Sequence, residues 1–79
     1  MEEYLKTMGT ISSELWKIFK AACLNLNPES DEWWEKISNE MDAAAKKYYG
    51  TEYEKYARDY AVELIYAIER KVKGGQKND

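Results

Sequence analysis

The sequence predicts an all-α fold: a compact three-helix bundle with helices over about residues 3–26, 29–49 and 52–73. Three observations predict it. Apolar residues recur at three- and four-residue spacing in three successive segments, as one face of a helix requires. Two breakpoints, Asn27-Pro28 and Gly50-Thr51, separate the segments. Pro28 is the single proline, and no run alternates β-branched with polar residues as a strand would.

In the first segment Met8, Ile11, Leu15, Ile18, Phe19, Ala22 and Leu26 share one face, and Trp16 and Cys23 widen it on one side. Gly9-Thr10 weakens the early part, because glycine in a helix interior costs about 1 kcal/mol relative to alanine. A first helix broken near Gly9 and a continuous one therefore both fit. The second segment takes Asn27 as its N-cap and Pro28 as its first helical residue. Glu29, Asp31 and Glu32 then sit where the positive end of the helix dipole favours them. Trp34, Ile37, Met41, Ala44, Ala45 and Tyr48 form its apolar stripe, and Gly50 closes it.

The third segment opens with Thr51-Glu52-Tyr53-Glu54, whose Thr51 and Glu54 match a capping box. Tyr53, Ala57, Tyr60, Leu64 and Ile68, flanked by Tyr56, Ala61, Ile65, Ala67 and Val72, cover a wide arc that calls for two neighbours or an oligomer. Gly74-Gly75 is expected to end this helix, leaving residues 74–79 as a disordered polar tail behind a single domain of residues 1–73. The expected core is Leu15, Ile18, Phe19, Ala22, Trp34, Ile37, Met41, Ala57, Leu64 and Ile68.

Composition narrows the chemistry. The 79 residues contain no histidine, so imidazole bases, Ser-His or Cys-His dyads and His-ligated zinc have no residue to use. One cysteine, Cys23, forms no intramolecular disulfide and no thiolate cluster. The expectation is a protein that is not an enzyme and needs no cofactor or metal. The acidic net charge of −3 disfavours duplex DNA. No apolar run is long enough to cross a membrane, the acidic start does not resemble a signal peptide, and a lone thiol fits a cytoplasmic location.

Four surface features are candidates for function. Glu29, Asp31, Glu32, Glu35, Glu40 and Asp42 set six acids against the single Lys36, a net −5 in residues 29–42. That density reads either as a solvated helix face or as a surface for a basic partner. Trp33 lies on the edge of the stripe occupied by Trp34; it serves either as an interface anchor or as a cover for the bundle end. The partner-binding candidates are therefore Glu29, Asp31, Glu32, Trp33 and Glu35. Val62 and Tyr66 lie opposite Leu64 among charged residues, as scattered apolar surface or as the contact of a homodimer. A basic end at Arg70, Lys71, Lys73 and Lys77 compensates the helix dipole, or it meets phosphate while a tyrosine stacks on a base.

The pattern Trp16-x-x-Phe19, Asp31-x-Trp33-Trp34-Glu35, Lys46-Lys47-Tyr48 and Ile68-Glu69-Arg70-Lys71 resembles small uncharacterised helical proteins of phages and conjugative elements of Firmicutes. The resemblance covers about residues 15–73 and brings no catalytic or ligand residues with it. It implies an accessory protein that binds and inhibits a host (defence) protein, in the manner of anti-CRISPRs. The alternatives are an oligomeric protein that sequesters a nucleotide or nucleic acid, and a purely structural homo-oligomeric subunit.

Overall fold

The computed structural model describes the backbone of residues 1–77 and the side chains of residues 1–73. It is a three-helix bundle: α1 (Glu2–Leu24), α2 (Asp31–Lys46) and α3 (Glu54–Lys77), each packed on both of the others. The start of α2 lies against the end of α1, and Tyr4 near the start of α1 meets Tyr53 just before α3. Hence α2 runs antiparallel to its neighbours, and α1 and α3 are parallel.

All six predicted boundaries move, by one to four residues. α1 starts at Glu2 and passes through Gly9 without a break. It stops at Leu24, where Asn25 leaves helical backbone and its amide donates to the carbonyl of Ala21 at 3.0 Å. Leu26 is thus outside the helix and 44% exposed rather than part of the stripe. Asn27 and Pro28 do not cap α2. They form a turn closed by Ser30 N–H on the Asn27 carbonyl at 3.0 Å, with proline at the position its fixed φ suits. The cap is Ser30, whose hydroxyl accepts from Trp33 N–H at 3.2 Å.

At its other end α2 tightens after Lys46. Tyr48 and Tyr49 donate to the carbonyls three residues back, and Gly50 then takes φ 81°, a conformation glycine adopts without cost. The Thr51–Glu54 box forms in altered register. Thr51 Oγ1 accepts from Tyr53 N–H at 3.1 Å, while the Glu54 carboxylate reaches the N–H of Gly50 at 3.0 Å. α3 continues through Gly74-Gly75 to Lys77, past its expected end. The rest of the expected tail, residues 78 and 79, lies outside the described residues.

The core is Ile11, Leu15, Ala22, Ile37, Met41, Ala44, Ala45, Ala57, Ala61, Leu64 and Ile68. Ile18, Phe19 and Trp34, expected in it, are half-buried at its margin, and Trp16, expected to widen the α1 face, is 48% exposed. Alanines fill much of the α2–α3 seam, which draws those helices together and pushes the bulky aromatics to the edges.

Candidate functional site

Both tryptophans are committed to the α1–α2 connection. The Trp33 indole N–H donates to the Asn25 carbonyl at 2.9 Å, and that of Trp34 donates to the Pro28 carbonyl at 2.8 Å. Their rings meet edge to face, with centroids 4.8 Å apart. Each indole satisfies a carbonyl of the turn that no helix bond would reach. Trp33 points toward α1 and closes a recess of about 190 Å³ with Ile18, Ala22 and Ile37. It is half-buried at the bundle end.

The same end of the bundle carries several exposed side chains. Leu24 is 72% exposed, and Leu26 follows it. Glu29, Asp31, Glu32 and Glu35, in the connection and the first turns of α2, are all exposed, and none joins an ion pair among the described residues. Four of the five partner-binding candidates are thus solvent-exposed at or near the start of α2, while Trp33 is half-buried; Leu24 lies on the side of α1 opposite the buried Leu15 and Ala22. Sequence reading missed the two leucines, because Leu26 fits the α1 periodicity and Leu24 reads as an ordinary helical residue. The usable signal was Asn25, which ends α1 before Leu26 can join the stripe.

A second surface lies on the outer side of α3. Val62 and Tyr66 are exposed there. Val62 also borders an α2–α3 groove of about 310 Å³, together with Tyr49, Ile65 and Arg58. The apolar surface thus extends from α3 onto the end of α2.

The remaining polar and aromatic groups serve packing. The Glu14 carboxylate on α1 accepts from Lys47 Nζ at 2.8 Å and from the Tyr48 hydroxyl at 2.9 Å, tying α1 to the end of α2. The hydrogen bonds from Lys47 and Tyr48 hold Glu14 below its usual 4.5, and the same contact raises Lys47. Burial, then the hydrogen bond to Glu14, pushes the Tyr48 phenol above its usual 10.0. Ser12 bonds the Tyr56 hydroxyl across α1 and α3, and Tyr56 stacks on Tyr60 at 5.8 Å. These rings lie ten or more residues along α3 from Arg70, Lys71 and Lys73, about 15 Å at helical rise. Tyr66, one turn from Arg70, is the exposed tyrosine beside the basic end.

Among the described residues no three His, Cys, Asp or Glu side chains gather as metal ligands would. No described helix is long and apolar enough to cross a membrane. Compared with known proteins, the chain matches no family model, no curated protein and no solved structure.

Proposed function

We propose that the chain is a non-enzymatic protein-binding module whose site is the α1–α2 end: Leu24, Leu26, the edge of Trp33 and the carboxylates of Glu29, Asp31, Glu32 and Glu35. The observation that carries the reading is that Glu29, Asp31, Glu32 and Glu35 are all exposed without an ion-pair partner among the described residues, at the end of the bundle where Leu24 is 72% exposed. Exposed carboxylates with apolar side chains at the same bundle end fit a partner that is basic and partly apolar, the apolar part supplying affinity and the charges orientation and on-rate. The resemblance to mobile-element proteins supports an inhibitor of a host defence protein as the setting. A homodimer through Val62 and Tyr66 belongs to the same proposal.

Affinity capture from host lysate tests the site, comparing the wild type with Glu32→Lys/Glu35→Lys and with Leu24→Asp. All three positions are exposed, so the fold should survive. Proteins enriched by the wild type and lost from both variants support the site; retention by both contradicts it. The nucleotide reading draws on exposed Tyr66 beside Arg70, Lys71 and Lys73. Calorimetry with cyclic nucleotides and short single strands checks it, and no heat at high micromolar concentration removes it.

A further inference from the structure

The outer face of α3 is written almost as a palindrome about Leu64. Reading outward from the exposed pair Val62 and Tyr66, Arg58 and Asp59 lie on the N-terminal side, Glu69 and Arg70 on the C-terminal side. Helical geometry assigns these charges to flanks. Arg58 and Glu69 fall on the flank toward α2, where Arg58 lines the groove beside Val62. Asp59 and Arg70 fall on the flank toward α1. Arg58, Asp59 and Arg70 are exposed, and Glu69 is partly so.

From this arrangement we infer that the α3 face binds a second copy of the chain in antiparallel, two-fold fashion, with Val62 of each copy against Tyr66 of the other. It rests on the homodimer in the proposed function, not on the basic partner. A two-fold axis across the seam at Leu64 keeps each flank on its own side while reversing its direction. Arg58 then meets Glu69 of the second copy, and Asp59 meets Arg70 of the second copy. Both contacts occur twice by symmetry, giving four opposite-charge contacts around an apolar centre.

A parallel pairing would also match charges, placing Arg58 on Asp59 and Glu69 on Arg70. Two features select the antiparallel form. It opposes the macrodipoles of the two helices, which a parallel dimer would align. It also sets the small Val62 against the large Tyr66, whereas a parallel dimer stacks valine on valine and tyrosine on tyrosine. Lys55 falls near Lys73 of the second copy at each margin, a like-charge approach that solvent screens.

Sedimentation equilibrium over a range of concentrations, with circular dichroism as the folding control, tests the inference. The wild type should show a dimer that grows with concentration. Arg58→Glu should weaken it about five-fold, since two exposed ion pairs turn repulsive. Arg58→Glu/Glu69→Arg should restore it, and Arg58→Glu/Asp59→Arg should not. A monomer at every concentration overturns the dimer itself. A dimer indifferent to Arg58→Glu overturns this face, and rescue by Asp59→Arg in place of Glu69→Arg overturns the antiparallel pairing. None of these results touches the leucine-and-carboxylate site, which the lysate capture tests separately.

Discussion

Glu14 joins two helices through two donors, and its titration should appear in the stability of the whole bundle. Folding lowers its pKa, so the unfolded chain binds the proton more tightly. The contribution is complete above its ordinary value of 4.5 and is lost as pH falls through the lower folded value. Tyr48 and Lys47 are raised by folding, so their contributions are complete below 10.0 and 10.5 and are lost as pH rises through the folded values. Urea titrations at about pH 7 and about pH 4 should show a stability loss on acidification that Glu14→Gln reduces. An unchanged loss would assign the acid limb to other carboxylates. Trp33 is the other residue whose role is specific. Trp33→Phe keeps a ring in the recess but leaves the Asn25 carbonyl without its donor, so stability should fall by about 1–2 kcal/mol in a urea melt. The sequence placed Trp33 on the edge of a stripe, since neighbouring helical residues point about 100° apart. It did not reveal the carbonyl at Asn25, because that contact exists only once α1 ends and the chain turns.

Among the helices, the stripes were legible and the ends less so. Three- and four-residue spacing marks Ile37, Met41 and Ala44 as one buried face whatever lies beyond the helix. An end is a competition among local hydrogen bonds. Ser30 outcompetes Asn27 as the cap of α2 because Pro28 is taken into a turn, and Pro28 in turn supplies a carbonyl to Trp34. Likewise Gly9 weighs against a helix in isolation, yet α1 carries it within a continuous run because Ile11, Leu15 and Ala22 bury the following turns. Two glycine substitutions separate these effects. Gly9 is helical with nothing near the position of an added Cβ, so Gly9→Ala should stabilise by about 0.5–1 kcal/mol. Gly50 sits at φ 81°, so Gly50→Ala should destabilise by about 1–2 kcal/mol although its surroundings are equally open. Thermal melts followed at 222 nm would read both, and equal signs would contradict the account.

For the molecule as a whole, bundle formation sorts residues between interior and surface in a way that no single segment announces. The wide arc of α3 called for two neighbours or an oligomer, and α1 and α2 supply the two neighbours. Which flank faces which neighbour followed only from the packing, and with it the groove that joins Tyr49 to Val62. The acidic run was legible as charge; the exposure of Leu24 and Leu26 at the same end of the bundle was not. Dimerisation should also show in bulk stability, because association stabilises the folded chain by mass action. The melting temperature of the wild type should rise with protein concentration, whereas Val62→Glu/Tyr66→Glu, which sets like charges against each other across the seam, should melt at one temperature throughout. In the proposed function, recognition occurs on outward-facing side chains where α1 hands over to α2. Its most direct test is to titrate an amphipathic Lys/Leu peptide into the ¹⁵N-labelled protein and follow the backbone amides. The account predicts saturable shifts concentrated in residues 24–35; an unperturbed spectrum, or shifts confined to α3, would contradict it.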